Sequence, residues 1–265
     1  MQIDLRELGA RLKETARVIS VLMIRDVRTR YGGIRGNYIV AIGWPLCHLL
    51  ALVGTFIFVN RMLPFGSDSV LYIASGALPY ILCVYPARQT GMSFIQNMGV
   101  LNLPIVRPIH LILSRALLEA LTACTVCIVF MVLLRLLGEE IVPEQPSVAL
   151  CAIYASVFFG ISMGVTMSIA SKILNMPGYF AFIGIMVLLY VSAGVAVPMN
   201  HINETVDYLR SFNPIYHLVQ WMRSAYYDDT HAFIPLDKFY VVSLAGGLLA
   251  FGLLGERLFR GRMLK

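Results

Sequence analysis

The chain has 265 residues, of which 58% are hydrophobic and only 14% charged, and its mean hydropathy is +0.74. A water-soluble domain carries about 25% charged residues, so most of this surface is built for a solvent other than water. The formal net charge of +6 sits outside the apolar stretches, which ties it to membrane topology and anionic lipid rather than to nucleic acid.

Residues 1–35 open the chain with Leu5, Leu8, Leu12, Ile19 and Leu22 at helical spacing, while Arg6, Lys13, Glu14 and Arg17 take other faces. This pattern predicts an amphipathic helix lying in the membrane interface with its basic side wet. Six apolar stretches follow, at 38–59, 70–87, 116–134, 148–170, 178–198 and 239–255. A helix needs about 20 residues to cross the hydrocarbon core. The stretches 38–59, 148–170 and 178–198 meet that length, whereas 70–87 and 239–255 call for flanking residues or a locally thinner bilayer. None alternates apolar and polar residues as a transmembrane barrel strand does. The expected fold is therefore an all-α polytopic membrane domain spanning residues 1–265, with six transmembrane helices. The first of these is expected to act as an uncleaved insertion signal.

The segment 88–115 is longer than a connector between two helices requires. It carries a short helical run through Gln96, Asn97 and Met98, and then Pro104 and Pro108, which fix the chain direction. Its semi-apolar residues read either as a docking surface for another protein or as a plain connector. Glu119 is the one acidic residue inside a predicted span, and a membrane charge is a functional hypothesis by default. Arg115 stands one turn before it, and the spacing predicts a neutralising pair.

The five cysteines, Cys47, Cys83, Cys124, Cys127 and Cys151, all fall within predicted spans. The CxxC of Cys124 and Cys127 has no His or carboxylate beside it, so these thiols read as small buried hydrophobes. Ala152, Ser156, Gly160, Gly164 and Ser168 follow one another at intervals of four, a stripe that lets another backbone come close. Ser162 lies in a formal GxSxG, but in mid-helix rather than at the strand-to-helix turn a hydrolase uses. His48 alone is a weak base for an intramembrane protease.

The external segment 199–238 is too apolar for a solvated loop and too broken for a span. Asn213-Pro214 opens a helical run with Ile215, Leu218, Val219 and Met222 on one face, which predicts a re-entrant pair of short helices. Tyr216, Trp221, Tyr226 and Tyr227 read as membrane-interface aromatics or as stacking surfaces for sugar rings. Most of the 21 Lys and Arg residues lie before the first stretch, between the second and third, and after the sixth. Both termini are accordingly expected in the cytoplasm.

In this order, these parts resemble the ABC-2 (type V exporter) permeases, specifically those exporting capsular and O-antigen polysaccharides. The marks are Arg25-Asp26-Val27-Arg28-Thr29-Arg30-Tyr31-Gly32, Asn102-Leu103-Pro104 with Arg107-Pro108, and Ser114-Arg115-Ala116-Leu117-Leu118-Glu119. Asn213-Pro214-Ile215-Tyr216-His217, Arg223-Ser224-Ala225-Tyr226 and Glu256-Arg257-Leu258-Phe259-Arg260 complete them. The Arg-Tyr-Gly form and the short basic C-terminus look more like the capsule branch. The resemblance implies a homodimer in the bacterial inner membrane, bound to two copies of a cytoplasmic ABC ATPase. It would pass a lipid-linked glycan from cytoplasm to periplasm, onward to a periplasmic co-polymerase and an outer-membrane channel.

On that resemblance, Gln96, Asn97, Asn102, Leu103, Pro104 and Arg107 within 88–110 would couple to the ATPase. Arg25, Arg28, Arg30, Tyr31, Tyr38, Trp44, Tyr216 and Trp221 would serve substrate entry and passage. The chain has no GxxxxGK[ST] loop, so ATP and Mg2+ are expected on the partner, and this chain is expected to be neither an enzyme nor a cofactor carrier. An ion-coupled carrier would favour buried carboxylates that this chain lacks beyond Glu119. Two alternatives stand beside this reading. One is an ABC-2 permease for a drug or lipid. The other is a membrane enzyme acting on lipid-linked sugars, which would need clustered Asp, Glu or His.

Overall fold

The computed structural model describes residues 5–29, 37–58, 69–139, 141–174, 176–195, 204–227 and 234–263, and every regular element among them is helical. The helices are α1 (Leu5–Thr29), α2 (Asn37–Phe58), α3 (Ser69–Gly91), α4 (Ser93–Asn97), α5 (Pro108–Leu136), α6 (Pro146–Leu174), α7 (Met176–Val191), α8 (Glu204–Arg210), α9 (Pro214–Arg223) and α10 (Lys238–Met263). A short 3-10 turn, Met98–Asn102, continues α4.

Five of these helices, α2, α3, α5, α6 and α10, are long and apolar enough to cross a bilayer. Their bounds correct the sequence expectation in one direction. α3 has 23 residues and α10 has 26, so neither depends on a thinner bilayer. α10 outruns its apolar stretch through a charged last part, in which Glu256 is paired with Arg260 at 2.9 Å. α5 likewise starts at Pro108, where the missing N–H costs nothing, and carries Arg115 inside its second turn. The stretch 178–198 moves the other way. α7 has 16 residues, about 24 Å of helix. The chain turns after Val191, and Gly194 takes a φ of +66° that favours a residue without a Cβ.

α3 is the hub, with 78% of its apolar window buried beneath α2, α5, α6 and α9. Its closest partner is α6, through the small-residue stripe, all five members of which are buried. A Cβ on Gly160 would lie 2.3 Å from the Cys83 carbonyl oxygen, and one on Gly164 would lie 2.7 Å from that of Ala87. On its other flank α6 meets α10, where the Thr166 hydroxyl donates to the Leu248 carbonyl at 2.8 Å. Cys83 and Cys127 are buried, as small hydrophobes would be. Cys47, Cys124 and Cys151 instead lie on the outer surface, and none of the five is bridged.

α9 departs most from expectation. All ten of its residues are buried, so it has no single apolar face. Asn213 caps it by accepting from the Ile215 N–H at 2.9 Å. The same side chain donates to the Leu189 carbonyl and the Ser192 hydroxyl, both at 2.8 Å, and so fastens α9 to the end of α7. His217 accepts at Nδ1 from the Asp237 N–H at 3.2 Å and donates from Nε2 to the Ser211 carbonyl at 2.8 Å; one neutral tautomer serves both. At the far end the Arg223 guanidinium donates to the Val195 carbonyl at 2.9 Å and lies 3.9 Å over the Tyr72 ring.

Candidate functional site

Two regions gather the candidate residues. The first lies at the Arg-rich end, where the last turn of α1, α4 with its 3-10 turn, and the start of α5 converge. The α5 entry is set by Arg107, whose N–H donates to His110 Nδ1 at 3.3 Å. Between α4 and α5 the chain is thrown outward. Asn102, Leu103, Pro104, Ile105 and Arg107 are exposed, Leu103 at 53% and Ile105 at 54%, while Val106 turns back into a small core with Phe94, Leu111 and Ile112. The result is an apolar tip exposed at the surface of the chain.

Gln96 and Asn97 are placed differently from the rest of that set. Gln96 is exposed, but its Oε1 accepts from Arg115 Nη2. Asn97 is buried: its Nδ2 donates to the Ser93 carbonyl at 3.0 Å and its Oδ1 accepts from Arg25 Nη2. Arg25 is thus engaged within the chain, also reaching Asp26 at 2.6 Å. Arg28 is exposed one turn on. Arg30 and Tyr31 lie outside the described residues. For Arg115, which the sequence pairs with Glu119, the structure shows an ion pair with Asp26 across on α1 at 3.6 Å.

The second region is a groove of about 470 Å³ between α2 and α3, lined by Trp44, Cys47, His48, Tyr80, Val84, Tyr85 and Arg88. Trp44 is 65% exposed along its wall and Tyr38 is half-buried one turn and a half earlier. His48 Nδ1 and the Tyr85 hydroxyl share a hydrogen bond at 3.3 Å, and the Tyr80 ring stacks obliquely on Tyr190 with centroids 4.5 Å apart. The groove presents aromatic faces, two polar tips and one guanidinium, a set suited to sugar rings and acidic groups. Tyr80, Tyr85 and Arg88 were missed as candidates from the sequence, and His48 was weighed only as a protease base. The signal for His48, Tyr80 and Arg88 was two stripes at intervals of four, Trp44–His48 on α2 and Tyr80–Val84–Arg88 on α3; Tyr85 lies off both.

Tyr216 and Trp221 do not join this groove. Both are buried in the core with the rest of α9, Tyr216 donating its hydroxyl to the Ile234 carbonyl at 3.2 Å and Trp221 lying 5.5 Å beneath the Lys238 ammonium. The reading of these two as interfacial or sugar-stacking aromatics is corrected, because α9 is enclosed on every side. Tyr226 and Tyr227, just beyond it, are partly exposed. Among the described residues, no three His, Cys, Asp or Glu side chains gather as a metal site would require.

No family model matches the chain. Among characterised proteins, the polysialic acid transport protein KpsM of Escherichia coli is 27% identical over 236 residues, covering 87% of this chain and 90% of that protein. A second Escherichia coli protein of the same name is 28% identical over 236 residues. The capsule polysaccharide export inner-membrane protein BexB of Haemophilus influenzae is 25% identical over 227 residues, covering 86% of this chain and 85% of that protein. Over most of its length the chain is therefore similar to two polysialic acid transport proteins and a capsule polysaccharide export inner-membrane protein, in agreement with the resemblance read from its sequence.

Proposed function

We propose that this chain is the membrane-spanning permease subunit of an ATP-driven exporter that moves lipid-linked capsular polysaccharide from cytoplasm to periplasm. The observation that carries the proposal is the similarity to KpsM and BexB along nearly the whole of all three chains. In this reading α7 counts as the sixth span, short as it is, and the segment 199–238 forms a re-entrant external element. The basic ends of the chain support a cytoplasmic location for both termini. Two permease chains and two ATPase chains make the working unit, with ATP and Mg2+ held on the ATPase.

The parts then divide by chemistry. The tip at Leu103 and Ile105 offers apolar surface whose burial drives association, and the ATPase takes it. Arg28, with Arg30 and Tyr31 beyond it, meets the phosphate of the lipid carrier at headgroup depth, where a guanidinium grips with two parallel bonds. Trp44 and Tyr38 lead to the aromatic groove of α2 and α3, along which sugar rings stack and slide. Stacking suits passage because each contact is weak and indifferent to the rotation of the ring. Periplasmic co-polymerase and outer-membrane channel receive the polymer.

Affinity purification of the tagged chain from its host membrane tests the proposal. An ABC ATPase should come down with it in equal amount, and the purified complex should hydrolyse ATP. A chain that purifies without any nucleotide-binding partner would contradict it.

A further inference from the structure

Beneath the docking tip lies a set of buried charges that neither docking nor the groove uses. Asp26 and Arg115 are each 3% exposed, on α1 and α5 respectively. The two carboxylate oxygens of Asp26 face different guanidiniums: Oδ1 is 2.6 Å from Arg25 Nη2, and Oδ2 is 3.6 Å from Arg115 Nη1. Each guanidinium in turn donates to an amide oxygen in the last turn of α4, Arg25 to Asn97 and Arg115 to Gln96. The Asn97 amide is itself aimed by its bond to the Ser93 carbonyl at 3.0 Å. One carboxylate thus hydrogen-bonds one arm, Arg25, and makes an ion pair with the other, Arg115, of a fork that grips α4 from α1 on one side and from α5 on the other.

We propose that Asp26 is a positioning residue that makes α1, α4 and the start of α5 move as one body, so that a displacement of the docking tip reaches the N-terminal helix through this buried fork. The inference rests on the reading of 88–110 as the ATPase-docking loop. Its physical basis is the burial of Asp26 and Arg115, where attraction between opposite charges is strong and a lost partner is costly. Asparagine at 26 has one carbonyl oxygen and no charge, so it can serve one guanidinium but not two. Glutamate keeps both oxygens and the charge. Lysine at 115 keeps the charge facing Asp26 but, having a single ammonium in place of the planar fork, cannot span Asp26 and Gln96 together.

The test separates docking from transmission. Wild type, Asp26→Asn, Asp26→Glu and Arg115→Lys are each purified with the ATPase. ATP hydrolysis is measured in liposomes of phosphatidylethanolamine and phosphatidylglycerol, and surface glycan is measured on the cells that produced them. Asp26→Asn and Arg115→Lys should keep the bound ATPase and its hydrolysis, while the glycan exported per ATP hydrolysed falls on the order of tenfold, the size of an ordinary coupling between sites. Asp26→Glu should recover most of that loss. An unchanged ratio in Asp26→Asn overturns the proposal, and if that variant is absent from the membrane, an unchanged ratio in Arg115→Lys does so. Loss of the ATPase from either variant also overturns it, since the cluster would then merely shape the docking surface. Failure of wild type to hold an ATPase is a separate result, which sinks the exporter reading itself.

Discussion

Replacing Gly160 with leucine is expected to remove nearly all folded chain from the membrane, whereas Gly246→Ala on α10 should leave its level and melting temperature close to wild type. At Gly160 even a Cβ would stand 2.3 Å from the Cys83 carbonyl oxygen and 3.0 Å from its carbonyl carbon and Cα. Those atoms are backbone of α3, so no side-chain rotation relieves the clash, and the two helices must part. Overpacking of a tight interior typically costs 1–3 kcal/mol, occasionally more; here it falls on the helix contact around which the core is built. In lipid, close backbone approach is itself a main source of helix association, so widening that contact weakens it further. Gly246 has nothing within 4 Å of the position a Cβ would take. Alanine there also has the better helix propensity, by about 1 kcal/mol. Membrane level and the thermal midpoint of detergent-purified protein, followed by size-exclusion fluorescence, decide the matter. Equal behaviour of the two variants would show that α3 and α6 do not pack as closely as described.

Leu103→Asp should abolish surface glycan while the chain inserts and folds as before. Leu103 is 53% exposed, so the substitution removes little from the chain's own core, and exposed substitutions change stability by about 0.5 kcal/mol or less. Within a docked interface the same carboxylate would be desolvated without a partner, and burying an ion costs about 2 kcal/mol or more. An affinity loss of about thirtyfold or greater follows, together with a matching loss of ATPase from the purified chain. Asn97 is the poorer choice for this test because it is buried against Arg25, and a change there mixes packing with docking. Normal export by Leu103→Asp with the ATPase still bound would remove this loop from the docking surface.

The contrast between those two sites shows which features the sequence carries openly. The α6 stripe was readable because helical packing writes small residues at a fixed interval, and Gly160 and Gly164 keep that interval without help from elsewhere. The outward tip at Leu103 was only half readable, because the semi-apolar run before Pro104 reads either as a docking surface or as a plain connector. α9 was not readable in the same way. Its Tyr216, His217 and Arg223 look like a polar face until their partners at Ile234, Ser211, Asp237 and Val195 are known, and those partners come from other elements. Arg115 makes the same point within one residue. Its neighbour Glu119 is visible from helical spacing, but Asp26 lies on a different helix altogether. The groove was hidden because its lining comes half from α2 and half from α3, and neither stripe stands out from an apolar background.

Loss of the chain itself bears most directly on the exporter reading. In a host strain lacking only this chain, full-length lipid-linked glycan should collect inside the cell, surface glycan should disappear, and glycan synthesis by isolated membranes should continue at the wild-type rate. Restoring the chain should clear the internal pool to the surface. If synthesis by those membranes stops instead, and no internal polymer accumulates, the chain makes the glycan rather than moves it.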